Sequence, residues 1–524
     1  MTRASTLPAM VLVLAVLAAH LSLFPKIADL DGFYHLGHAA AYAQGSIFDT
    51  SFPWATQSAI ADRGGDLWWG FHVLLVPLTA IGSVDWGIRV GALALTLVLL
   101  GTFHGVARRH GAPAAAWWTL AFFIAVPNVL FRQVMLRPHL LSLAGGLLLL
   151  SVLVRGRWWQ VVLVSGAIAW LHLGLAWVAP AIAIAYALVS ASERALRMER
   201  EPASVAPLTA LAAAIFGTAV GWLLRPHPVE TGALAGVQII RLLAAKATEE
   251  PLTFSAELFP LSLGELVRTS WLFVLAWLGA VAAAAYGLVT GRLEGRTGER
   301  TLVVTALIVS AAFLLLALLS ARRAMEQWVA FGALALPFVW NVVAPLSRRR
   351  AVRAVAILLV AIHVGWGARR HALNVDLVAS PPDIMAGVAS FLAESSDPGD
   401  IVFHAKWDNF GPLFAHNRTN LYLGGMDPIF QLAHDPRLYW EFFYLSADVN
   451  VEWTCDAFPC SSGGATGTHE VLTDHFGARW VVVEPRRNPR FALYLLNDSR
   501  YRLAHETLRE AVFEVLPGPE VPAA

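Results

Sequence analysis

Asp29-Leu30-Asp31-Gly32-Phe33-Tyr34-His35 follows directly on the first apolar run of the chain, Pro8 to Phe24. Two acids, two aromatic rings and an imidazole at the exit of a membrane helix are costly to keep there, so their presence points to chemistry. The run before them is long enough for a span of about 17–20 residues. No small-residue cleavage site follows it, and the reading is an uncleaved span.

The composition fits a polytopic membrane protein. Of the 524 residues 57% are hydrophobic and only 14% are charged, against about 25% charged in soluble domains. Mean hydropathy is +0.58. The 20 tryptophans suit interfacial belts. A net charge of +1 gives no electrostatic case for nucleic acid.

Apolar runs near 8–24, 87–106, 114–131, 139–154, 158–172, 173–190, 207–224, 268–290, 301–320, 327–345 and 352–368 predict eleven transmembrane helices. With the N-terminus cytoplasmic, the inner loops are Arg108-Arg109, Arg155-Gly156-Arg157, Ser192 to Glu201, Gly291 to Arg300 and Arg348-Arg349-Arg350. Each bears arginine, as the positive-inside rule requires. Leu67 to Ser83 is short and tryptophan-led, and counting it as a span would invert that pattern, so it reads as an interfacial or re-entrant segment. Residues 1–368 then form a transmembrane domain with outer loops 25–86 and 225–267. Residues 369–524 form an extracytoplasmic soluble domain. Its Ile401-Val402-Phe403 and Trp480-Val481-Val482-Val483 runs read as buried strands, and Ile384 to Glu394 as an amphipathic helix, which makes it α/β. Cys455 and Cys460 lack the partners of a closed zinc site and read as a local disulfide. That agrees with an oxidising outer compartment.

Asp31, His35 and His38 lie at i, i+4 and i+7, one face of a helix. Carboxylate and imidazole so placed can hold a divalent cation or activate a hydroxyl. They can equally be a polar helix start with Asp29 or Asp31 as cap. Lys406-Trp407-Asp408-Asn409-Phe410-Gly411, followed by Asn417-Arg418-Thr419, describes either a pocket that stacks and hydrogen-bonds or an ordinary strand-to-turn segment. His172 reads as a packed histidine, Arg225 as a snorkelling outer-edge arginine or a phosphate contact, and Glu249-Glu250 as solvated loop acids.

These motifs resemble those of the GT-C membrane glycosyltransferases, and among them the catalytic subunits of oligosaccharyltransferases. Asp31-Gly32-Phe33-Tyr34-His35 looks like the acidic-aromatic motif of that family's first outer loop. Trp407-Asp408-Asn409-Phe410-Gly411 is similar to its outer-domain WWDYG signature, and Ser255-Ala256-Glu257 to its flexible-loop motif. Arg322 or Arg323 occupies the place of an arginine that binds lipid phosphate. The chain departs where the family has a second acidic motif: it reads Arg132-Gln133-Val134-Met135-Leu136-Arg137-Pro138-His139, without either acid. That removes negative charge from a metal site and adds positive charge suited to phosphate.

The resemblance implies an inverting transferase in a bacterial-type inner or plasma membrane, working on the cell-envelope side. It would take sugar from a polyprenyl-phosphate or -pyrophosphate donor to a protein, glycan or lipid acceptor. Asp31 and Glu257 would be catalytic. Asp31, His35 and Glu257 would hold Mn²⁺ or Mg²⁺, if a metal is used. Arg137, Arg322 and Arg323 would bind the donor phosphate, and Trp407, Asp408 and Asn409 the acceptor. The same composition also fits a non-catalytic GT-C-like scaffold, or a transporter or flippase. A transporter would keep acids or broken helices at the bilayer midplane, and these runs are nearly free of acids.

Overall fold

A computed structural model describes residues 3–196, 198, 204–248, 251–293, 297–347, 350–461 and 463–517. Arg348, Arg349, Glu249 and Glu250, and parts of the expected inner loops 192–201 and 291–300, lie outside the described residues. The chain forms two compact units. One comprises Met1–Ala28, Arg89–Arg225 and Ala256–Ala379; the other comprises Asp29–Ile88, Pro226–Ser255 and Ser380–Ala524.

The first unit is helical, and every expected apolar run falls on a helix. Five helices among the described residues are long and apolar enough to cross a bilayer, or seven if two bent pairs each count as one span. Others, such as His139–Val154 and Trp158–Leu171, are apolar but shorter. The run at 114–131 is not one straight helix: Ala115–Ile124 and Pro127–Gln133 meet at 100°. The cause is Pro127, which has no amide hydrogen to continue the ladder and forces Val126 into an extended conformation (φ −141°, ψ 121°). This bend carries the segment Arg132 to His139 out of the helix line.

Trp158–Leu171 and Pro207–Leu223 pack backbone to backbone. A Cβ on Gly221 would collide with the Gly166 carbonyl, and one on Gly217 with that of Val162. Small residues at such a crossing let two helices approach as lipid-embedded interfaces require. Val178–Ala195 and Thr297–Leu319 are joined by buried Glu193, which accepts from Arg300 Nε at 3.0 Å and Thr301 Oγ1 at 2.9 Å.

The second unit is α/β. Its six-stranded sheet runs β1-β3-β2-β6-β8-β7, where β1 is Ala55–Thr56, β2 Ile401–His404, β3 Leu421–Leu423, β6 Ala478–Val483, β7 Tyr501–Glu506 and β8 Ala511–Val515. The first four in this order are parallel, and β8 and β7 pair antiparallel. The near-continuous apolar runs of β2 and β6 suit strands covered on both faces; Phe403, Val481 and Val483 are fully buried in the core. The expected helix appears as Ala386–Ser395. The small edge strand β1 comes from the first loop: Tyr422 N donates to Trp54 O, and Gly424 N to Thr56 O, both at 2.8 Å. A separate hairpin pairs β4 (Trp453–Cys455) with β5 (Ala465–Gly467), beside the Cys455–Cys460 disulfide (Cα–Cα 5.5 Å).

Candidate active site

In the first unit the Pro127 bend, a short turn at Ala256–Leu258 and the start of the helix Met325–Ser347 bring five charged or titratable side chains together. Arg132 pairs with both Glu257 and Glu326. Arg137 Nη1 lies 3.0 Å from Glu257 Oε1. His139 Nε2 lies 3.3 Å from Glu326 Oε2. Burial alone would raise the Glu257 carboxyl, but Arg132, Arg137 and Arg323 outweigh it and hold it well below the usual carboxylate range. A carboxylate clasped by two guanidiniums is a poor base and presents little free negative charge to a dication.

The two adjacent arginines have different partners. Arg322 turns to Glu265, with Nη1 3.0 Å from Oε1. Arg323 lies close enough to Glu257 and His172 to act on both electrostatically, and among the described residues it forms no ion pair. His172 is buried, with Nδ1 3.0 Å from Ser142 Oγ. Arg225 does not snorkel: only 3% exposed, it donates to Ala169 O at 2.9 Å and adds its charge beside His172. Arg132, Arg137 and Arg323 thus gather around Glu257, with Glu326 beside Arg132. Such a cluster retains the capacity to take up an anion.

In the second unit, Asp31 is the first residue of the helix Asp31–Gln44, and the N-cap is Leu30 without a side-chain cap. Phe33, Tyr34, His35 and His38 are buried along this helix. The helix docks on Phe410–His416: a Cβ on Gly411 would sit 2.8 Å from Leu30 O, and the Tyr34 and Phe410 rings are 6.2 Å apart. The two sequence motifs, Asp31 to His35 and Trp407 to Gly411, therefore pack against each other. Within the second motif Trp407 lies against the hydrophobic core, Asn409 is fully buried, and half-buried Asp408 pairs with Arg487 at 3.0 Å.

His35 Nδ1 meets His72 Nε2 at 2.9 Å, and His72 Nδ1 meets Asp66 Oδ2 at 2.7 Å. Tyr42 donates to the same Asp66 oxygen at 2.8 Å, and His38 Nε2 lies 3.7 Å from it. Burial and the neighbouring His72 push His38 down to about 3, so it is neutral at physiological pH despite Asp66. Among the described residues, His38, Asp66 and His72 are the group of three whose ligand atoms converge, all within 4.8 Å of one another.

The Mn²⁺ or Mg²⁺ set implied by the resemblance, Asp31, His35 and Glu257, does not fit this arrangement. Glu257 is neutralised by Arg132 and Arg137, and His35 is engaged by His72. Neither Asp66 and His72 nor Arg132 and Glu326 stood out in the sequence as site residues. Asp66-x5-His72, an acid and an imidazole in an otherwise apolar, tryptophan-led stretch, was the signal available for the first pair.

The fold is shared with two solved proteins of very different sequence. The chain superposes on the archaeal oligosaccharyltransferase AglB from Archaeoglobus fulgidus, solved with an inhibitory peptide and a dolichol-phosphate, with a TM-score of 0.56 at 12% identity, covering 91% of this chain and 69% of that one. ArnT from Cupriavidus metallidurans in the apo state matches with a TM-score of 0.54 at 13% identity, covering 97% and 98% of the two chains. The same enzyme bound to undecaprenyl phosphate gives 0.52 at 14% identity over 96% and 97%. The sequence itself matches no protein-family model and no curated protein.

Proposed function

We propose that the protein is a membrane glycosyltransferase that moves a sugar from a polyprenyl-phosphate or -pyrophosphate donor to an acceptor on the extracytoplasmic side. The observation that carries this reading is the partly buried gathering of three guanidiniums, Arg132, Arg137 and Arg323, around Glu257. Guanidiniums bind phosphate oxygens in paired, directional hydrogen bonds and are worth most where water is scarce. Proteins of this fold have been solved with dolichol-phosphate and with undecaprenyl phosphate, ligands of the chemistry such a cluster would hold.

In the transfer step the acceptor's nucleophilic atom bonds to the anomeric carbon as the bond from that carbon to the phosphate oxygen breaks. The bonding pair leaves on the phosphate, where Arg323, Arg137 and Arg132 stabilise the growing charge. Asp31 takes the acceptor's proton as general base. Attack opposite the leaving phosphate inverts the anomeric carbon. Glu257 keeps Arg132 and Arg137 in position, and Arg322 braces the turn through Glu265. Trp407, Asp408 and Asn409 form the part of the second unit that recognises the acceptor. In this reading the N-terminus is cytoplasmic, eleven helices span the membrane and the second unit lies outside.

The test incubates purified protein in lipid nanodiscs with a panel of undecaprenyl-linked sugars and candidate acceptors, read by mass spectrometry. The expected result is donor loss matched by acceptor gain, abolished in Asp31→Ala with folding retained. Normal turnover by Asp31→Ala removes that residue from the mechanism. A panel left intact by a protein that also fails to bind undecaprenyl phosphate overturns the reading.

A further inference from the structure

We infer that His38, Asp66 and His72 form a closed binding site for a zinc-class divalent cation that fastens the first loop of the second unit. The three residues come from two elements. His38 stands mid-helix in Asp31–Gln44; Asp66 precedes, and His72 lies within, the helix Trp69–Leu75. All three are at most 3% exposed.

The spacing suits a tetrahedral ion. With zinc–nitrogen and zinc–oxygen bonds near 2.0–2.1 Å, neighbouring ligand atoms should be about 3.3 Å apart. Two of the separations bracket that value, 2.7 Å from His72 Nδ1 to Asp66 Oδ2 and 3.7 Å from His38 Nε2 to the same oxygen, and all the ligand atoms lie within 4.8 Å of one another. Small rotations of the Asp66 carboxylate and the His72 ring would equalise them. The Tyr42 hydroxyl, 2.8 Å from Asp66 Oδ2, adds a second oxygen, and a fourth polar atom, at the same point.

Supporting contacts hold the ligands in place. Trp68 N donates to Asp66 Oδ1 at 2.8 Å, and His35 Nδ1 meets the far nitrogen of His72 at 2.9 Å. A partner on the second ring nitrogen is what metal-binding histidines ordinarily have. The His38 ring is stacked between His72 (4.2 Å) and Phe52 (4.7 Å), so its plane is fixed. Two imidazoles with one carboxylate favour zinc or cobalt over magnesium or manganese, which prefer all-oxygen sites. The closed, buried setting is that of a structural rather than a catalytic ion.

The probes are Zn²⁺ and Co²⁺ alone, added to chelator-stripped full-length protein in detergent. Transfer activity plays no part in the readout, so this inference and the proposed function stand or fall separately. The expected result is one tightly held Zn²⁺ per chain by elemental mass spectrometry, a raised melting temperature, and visible Co²⁺ absorption of a four-coordinate site. His38→Gln should weaken binding at least tenfold, which separates this site from surface histidines among the 17 in the chain; His35→Phe should weaken it about 10–100-fold through lost orientation of His72. Wild-type protein that takes up neither ion overturns the inference, and so does undiminished binding by a folded His38→Gln variant. If His38→Gln fails to fold, the wild-type stoichiometry and Co²⁺ spectrum decide alone.

Discussion

Glu257 shows how one side chain changes meaning with its surroundings. In the sequence it is an acid in a proline-rich loop, suited to a metal or to base catalysis. In the folded chain Arg132 and Arg137 hold it ionised, and its value lies in positioning them. Glu257→Gln should cost about 1.5–3 kcal/mol, the scale of hydrogen bonds to charged groups. Because the folded carboxyl is depressed, its stabilising contribution is complete above the ordinary carboxyl range near pH 4.3 and is lost as pH falls through the lower folded value. Thermal unfolding in detergent should show a constant gap between wild type and variant from pH 5 to pH 8, narrowing only in stronger acid. A gap that closes near neutrality would contradict the ion-pair assignment. Arg137, Arg323 and Glu257 already stood out in the sequence, and in the folded chain they lie together. Arg132 and Glu326 did not, because their pairing spans 194 positions and leaves no local pattern.

At the scale of elements, long apolar runs proved the most readable feature, since burying some 20 residues in lipid demands a continuous hydrophobic stretch. The break at Pro127 was less readable. Proline is tolerated inside many membrane helices, and only its coupling with the extended Val126 turns it into a 100° bend. Strand β1, two residues long, has too little sequence for any alternation to register. Helix packing supplies a separate test. Gly221→Leu sets a side chain against the Gly166 backbone, which cannot move aside as a flexible side chain could. Overpacking should destabilise by about 1–3 kcal/mol or more, read as a lower melting temperature in detergent, while Gly264→Leu, whose Cβ meets nothing, should melt like wild type. Equal melting of both variants would contradict the close crossing of Trp158–Leu171 and Pro207–Leu223.

For the whole molecule, the α/β character of the C-terminal part was legible from two buried strand runs. The membership of the sheet was not, because β1 joins it through backbone pairing with residues more than 360 positions away, as Trp54 shows in donating to Arg418 O. Arg132, Arg137 and Arg323 of the first unit are proposed to hold the phosphate of the donor lipid. Binding of undecaprenyl phosphate to purified wild type and to Arg323→Ala, compared by native mass spectrometry, tests this most directly. The lipid should be retained by wild type and its affinity reduced at least tenfold in a folded Arg323→Ala; equal binding by the two proteins would contradict the account.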